Sequence, residues 1–138
     1  MSRAKTRKSL GLIAAGLLLG LALSSLAIAD DDPSIKGKLH QDIQTSMKNF
    51  IRSRTIDGTF YLYDPVEGKL LRLKFDKLHE GIVRKADFYV SCSDFVDQNG
   101  RKVDVDMLVR DSAGKLITTQ AIVHSVNDSK REYHLESK

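Results

Sequence analysis

Two hydrophobic periods divide the chain beyond residue 34. Ile35, Leu39, Ile43, Met47 and Phe50 or Ile51 recur every three or four residues. That spacing places one apolar stripe on a helix of about four turns. Asp32 or Ser34 can accept hydrogen bonds from the free amides at the helix start. Pro33 suits a first turn, and the acidic run at residues 30–32 suits the positive end of the helix dipole. Gly37 weakens that first turn, and Ile56-Asp57-Gly58 ends the helical region.

After Gly58 the period falls to two. Phe60 and Leu62 alternate with Tyr61 and Tyr63, and Pro65-Val66-Glu67-Gly68 reads as a turn. Leu71, Leu73 and Phe75 then alternate with Leu70, Arg72 and Lys74. Pairing Asp64 with Lys69 sets Leu62 opposite Leu71 and Phe60 opposite Leu73, so the apolar faces match. His79-Glu80-Gly81 is a second break. The next strand carries Phe88, Val90, Cys92, Asp94 and Val96 on one face. Asn99-Gly100 predicts a two-residue hairpin turn pairing Val96 with Val103, Asp94 with Val105, Cys92 with Met107 and Val90 with Val109. Ser112-Ala113-Gly114 predicts a three-residue loop. It pairs Val109 with Ile117, Met107 with Thr119, Val105 with Ala121 and Val103 with Val123. From Asn127 the chain is polar, with Tyr133 and Leu135 as material for a last short strand.

The expected class is α+β: one N-terminal helix packed on a meander-type antiparallel sheet of about five strands. This order of elements resembles the cystatin-like and NTF2-like architectures. The likeness is one of architecture and implies no activity.

Residues 1–29 have the make-up of a secretory leader. Arg3, Lys5, Arg7 and Lys8 form a basic start, Leu10–Leu23 an uncharged apolar run, and Ala27-Ile28-Ala29 a cleavage site. The mature chain is expected to begin at Asp30, in the periplasm or outside a bacterial cell. The alternative is retention as an anchor, since with Ser24–Ala29 included the apolar stretch just reaches the roughly 20 residues that span a bilayer. The expected division is a leader at 1–29, a flexible segment at 30–34, one domain at 35–126 and a polar tail at 127–138.

The leader changes the charge. The chain has 22 basic and 18 acidic residues, a net charge of +4, and the leader holds four of the basic residues and none of the acidic ones. What remains is balanced and mixed in sign, unlike the clustered Lys and Arg of a nucleic-acid footprint. Cys92 is the only cysteine, so no intramolecular disulfide forms and no c-type haem motif exists. No cofactor is expected.

Asp94 is the anomaly of the predicted register. A carboxylate on an apolar face has its pKa raised by desolvation and suits general acid or base chemistry. The bland alternative is an acid at the sheet end. Asp104, Asp106 and His124 are candidate metal ligands on the opposite face. Asp97-Gln98-Asn99-Gly100 resembles a calcium loop but lacks its spacing and its closing Glu. Tyr89, Ser91, Ser93, Phe95 and Arg110, with Leu108, read as a ligand or partner face, against the plainer reading of a half-solvated sheet face. Cys92 reads as a small buried hydrophobe rather than a nucleophile. His40, His79, His124 and His134 are scattered without a paired motif.

The sequence therefore predicts a small exported, non-enzymatic binding or accessory domain that meets a protein partner or small ligand through an open sheet face. The alternatives are a small pocket enzyme using Asp94 and a structural module that forms a homodimer. Nucleic acid is excluded as a partner, and the membrane enters only through the leader.

Overall fold

The computed structural model describes residues 31–132. The leader, the Asp30 start, Tyr133, His134 and Leu135 lie outside them. Helix α1 (Gly37–Arg54) is followed by β1 (Thr55–Ile56), β2 (Thr59–Asp64), β3 (Lys69–Arg84), β4 (Tyr89–Asp97), β5 (Lys102–Ser112), β6 (Lys115–Val126) and β7 (Ser129–Lys130). The strands form one antiparallel meander in sequence order. Among the described residues no helix is long and apolar enough to cross a membrane.

The helix begins later than its apolar stripe suggests. Gly37 has φ +62°, so the helical backbone cannot run back through it. Upstream, Asp32 Oδ1 accepts from the Ser34 amide at 2.9 Å and hydroxyl at 2.6 Å. The Asp32 amide donates to the Ile82 carbonyl at 2.9 Å, which ties this residue to β3. Ile35, outside the helix, is still buried.

The buried helix stripe of Ile43, Met47, Phe50 and Ile51 lies across Phe60, Leu71, Leu73, Phe95, Val103, Val105, Met107, Val109 and Val123. Phe50, Phe60 and Phe95 form a ladder of rings at centroid distances of 6.4 and 5.2 Å. The sheet curls around the helix far enough that β2 and β6 touch, although three strands separate them in the sheet.

The first hairpin has the expected register: Asp64 with Lys69, Leu62 with Leu71, Phe60 with Leu73. The next two differ because their turns are exchanged in type. The Asp97 amide donates to the Arg101 carbonyl and the Gly100 amide to the Asp97 carbonyl, which makes a three-residue loop with Gly100 at φ +77°. Asp97 Oδ1 fixes it by accepting from the Asn99 and Arg101 amides at 2.8 and 2.9 Å. A two-residue turn of the expected kind needs positive φ at both central positions, and Asn99 is not among the residues that have it. Such a pair occurs instead at Ala113 (φ 54°) and Gly114 (φ 81°), and Ser112 faces Lys115 across it.

The three-residue loop pairs Phe95 with Val103, Ser93 with Val105 and Ser91 with Met107. This shift of one place exchanges the two faces of β4. Between β5 and β6, irregularities after Asp104 and Leu108 pair Val105 with Val123, Met107 with Ala121 and Val109 with Thr118. Two further turns of paired positive φ, Asp57-Gly58 and Asn127-Asp128, make β1 and β7 and raise the strand count to seven.

Residues 79–81 do not break β3. They form a bulge in it, where the three residues between Leu78 and Ile82 oppose one, Cys92, between Ser93 and Ser91. A bulge leaves backbone carbonyls without ladder partners. Here Gln44 Nε2 donates to the His79 carbonyl at 3.3 Å, His40 Nε2 meets the Glu80 carbonyl at 2.8 Å, and the Ser91 hydroxyl donates to the Gly81 carbonyl at 2.7 Å. The helix and β4 thus hold the bulge in place.

Candidate functional site

Exchange of the faces of β4 decides where its polar residues go. Ser91, Ser93 and Phe95 are buried on the helix side, so the expected ligand face is core. The serines are tolerated there because their hydroxyls donate to the Gly81 and Val105 carbonyls. Tyr89 packs against the edge of the core, and its hydroxyl accepts from Arg84 Nη1 at 3.2 Å. Arg110 is exposed, one residue beyond buried Val109 and so on the opposite face.

The opposite face of β3–β6 carries Lys77, His79, Cys92, Asp94, Asp104, Asp106 and His124. Cys92 faces Asp106 across the ladder, and Asp94 faces Asp104. Like charges placed directly opposite are unfavourable, and these carboxylates have cationic or hydrogen-bonding neighbours. His79 Nε2 lies 2.9 Å from Asp94 Oδ1, and Lys77 Nζ lies 3.5 Å from Oδ2. The Cys92 thiol donates to Asp106 Oδ1 at 2.8 Å, and His124 Nδ1 lies 2.9 Å from Asp106 Oδ2. One donor atom each from His79, Cys92 and Asp104 lies within 4.8 Å of the other two. Side-chain exposure grades from 1% at Asp106 through 12% at His124 and 19% at Asp94 to 37% at His79. The cluster therefore has a closed floor and an open side at His79.

The two acids of the Asp94–Asp104 pair are driven apart. Burial favours the neutral form of Asp94, but the His79 hydrogen bond and the charges of His79 and Lys77 outweigh it and hold the carboxyl below its ordinary range. This corrects the expectation of a raised Asp94. The raised acid is its neighbour: burial pushes the Asp104 carboxyl up, with His79 and His124 opposing the rise and Asp106 and Asp94 adding to it. Asp104 Oδ1 is buried without a hydrogen-bond partner.

Of the expected metal set, Asp106 and His124 meet directly, while Asp104 joins His79 and Cys92. Sequence reasoning passed over His79, read as a turn marker, and Cys92, read as core. Their signal lay in alternation. Val103, Val105, Met107 and Val109 fix the inward face of β5, and placing Phe95 inward on β4 sends Cys92 and Asp94 to the side of Asp104 and Asp106.

A second charged group joins the strand ends. Arg101 Nε donates to Asp97 Oδ2 at 2.6 Å, and its two terminal nitrogens donate to Glu67 at 2.8 and 3.3 Å. Arg131 Nη2 donates to Asp64 Oδ2 at 2.6 Å and to Glu67 Oε1 at 3.3 Å. A cleft of about 280 Å³ lies between the end of α1, β2 and β6, with Phe50, Arg54, Tyr61, Tyr63 and Gln120 in its walls. It contains none of the clustered His, Cys and Asp residues.

No family model matches this chain, and neither a curated protein nor a solved structure matches it.

Proposed function

We propose that the chain is a small exported binding or accessory domain that works through the outer face of its sheet, around His79, Cys92, Asp94, Asp104, Asp106 and His124. The observation that carries this reading is the gathering of two imidazoles, a thiol and three carboxylates from four strands onto one half-buried patch. Burying ionisable groups is costly unless they are paired. Two facing acids shifted in opposite directions, Asp94 and Asp104, beside the partly exposed His79 favour a ligand site over a solvated sheet face. The leader at residues 1–29 supports delivery to the periplasm or beyond the cell, with the mature chain starting at Asp30. One helix laid on an antiparallel meander is similar to the cystatin-like and NTF2-like architectures, an analogy that names no activity.

The enzyme alternative built on Asp94 is less favoured. A carboxyl held ionised by His79 and Lys77 is a poor general acid and a weak base.

Native mass spectrometry of the protein recovered from its host's envelope or medium tests the proposal. A chain starting at Asp30 with an added mass that His79→Gln removes, the fold remaining intact, supports it. A bare chain overturns a tightly held ligand. An added mass that survives replacement of His79, Cys92 and Asp104 places the working surface elsewhere.

A further inference from the structure

We propose that His79, Cys92 and Asp104 bind a divalent transition-metal ion of the zinc class on the outer face of the sheet. The proposal rests on the outer-face reading above and names its ligand.

The donor set selects the metal class. A thiol sulfur, an imidazole nitrogen and a carboxylate oxygen suit zinc and its neighbours, whereas calcium and magnesium take oxygen ligands. Tetrahedral zinc with bonds of about 2.0–2.3 Å sets its donors roughly 3.5 Å apart. The three donor atoms already lie within 4.8 Å of one another, so small side-chain rotations close the site. Three protein donors leave one tetrahedral position for water or for a group on a partner.

The surroundings fit the same ion. A metal-bound histidine characteristically donates its other N–H to a carboxylate. His79 has that carboxylate in Asp94, and a neutral ring donating from Nε2 carries its lone pair on Nδ1. Asp106, which also meets His124, accepts the Cys92 S–H in the metal-free protein, and that contact opens when the thiol ionises to bind metal. Asp104 carries a buried oxygen that lacks a hydrogen bond, an unmet acceptor that coordination through it would satisfy. In the metal-bound state, with neutral imidazoles, the carboxylates of Asp94, Asp104 and Asp106 and the Cys92 thiolate against Lys77 give a formal charge of minus three, of which a dication offsets two. On binding, the Cys92 S–H bond is replaced by a metal–sulfur bond, and the proton passes to buffer.

Cobalt(II) and zinc added to the purified mature chain (residues 30–138) are the probes. Expected are one metal ion per chain after dialysis, a thiolate-to-cobalt charge-transfer band in the near ultraviolet, and a rise in melting temperature on adding zinc. Cys92→Ser keeps a hydroxyl to bond Asp106 and so spares the fold, and it should abolish the band. His79→Gln and Asp104→Asn should each weaken zinc affinity at least about tenfold, with far-ultraviolet circular dichroism confirming that they fold.

No retained metal overturns the proposal. So does cobalt binding that lacks the thiolate band or is unchanged in Cys92→Ser, which would be surface association only. If the metal fails while protein from the host still carries an added mass that His79→Gln removes, the outer face stands and only the nature of its ligand changes.

Discussion

Arg131 reaches Asp64 across the open side of the curled sheet, Nη2 to Oδ2 at 2.6 Å, although 67 residues separate them in sequence. Asp64 is fully buried and the Arg131 side chain is 10% exposed. The bond joins the end of β2, beyond the reach of the short edge strand β1, to the residue after β7, the strand at the other edge. Removing one member of a buried ion pair strands the other charge and costs about 3–5 kcal/mol. Arg131→Met is therefore expected to lower stability by about that amount in urea unfolding. A change below about 1 kcal/mol would show these strands to be held by other contacts.

The neighbouring Arg101 gives the fold an acid-sensitive side. Its hydrogen bonds hold the Glu67 carboxyl below its ordinary value. At Asp97 burial acts the other way, but Arg101 and the loop amides outweigh it, and that carboxyl is also lowered. A carboxyl whose folded pKa is depressed contributes stability above its unfolded value and loses it as pH falls through the folded one. Arg101→Gln should thus be less stable than the parent at neutral pH, with the gap narrowing between about pH 5 and pH 2. A gap that does not vary with pH would mean that Arg101 acts through packing alone.

Phe95 separates the core reading of β4 from the surface one. Its ring stacks on Phe60 at 5.2 Å and is 1% exposed. Phe95→Ala is expected to cost about 3–5 kcal/mol in chemical denaturation. A loss below about 1 kcal/mol, as for a surface ring, would contradict the register of β4 and β5.

The exchanged turns make paired predictions. Ala113 occupies a left-handed position at φ 54° that Asn or Gly adopts more readily. Ala113→Asn should stabilise the protein by about 0.5–1 kcal/mol. Gly100→Ala should do the opposite by about 1 kcal/mol. A Cβ there would meet nothing within 4 Å, so the cost is backbone strain at φ +77° and not crowding. Equal melting temperatures for parent and variants would undo this turn assignment.

These turns also mark where the sequence was legible. The helix stripe and the Asp64–Lys69 hairpin were readable because burial follows one period without interruption. Asn99-Gly100 misled because the Asp97 side chain captures the Asn99 and Arg101 amides, a local competition that outranks dipeptide preference. Ser91 and Ser93 misled because their carbonyl partners, which make them acceptable in the core, are visible only in three dimensions. Asp57-Gly58 carried a hairpin signal that was absorbed into the end of the helix. The site was half legible. Asp104, Asp106 and His124 stood out as ligand types, whereas His79 depends on a bulge whose carbonyls are held by His40 and Gln44, 35 or more residues away.

The sequential order of the sheet bears on the route by which the chain folds. Every ladder joins strands adjacent in sequence, so each closes a short loop at small entropic cost. The Asp32–Ile82 and Arg131–Asp64 links tie distant parts of the chain, and the second waits for the whole meander. Pulse-labelled hydrogen exchange should protect the β2–β3 and β4–β5 amides before those around β7. Simultaneous protection would place the Arg131 link in the nucleus instead. In the expected case that arginine is a latch, set after the winding is finished, and its opening is the first step by which the molecule comes apart.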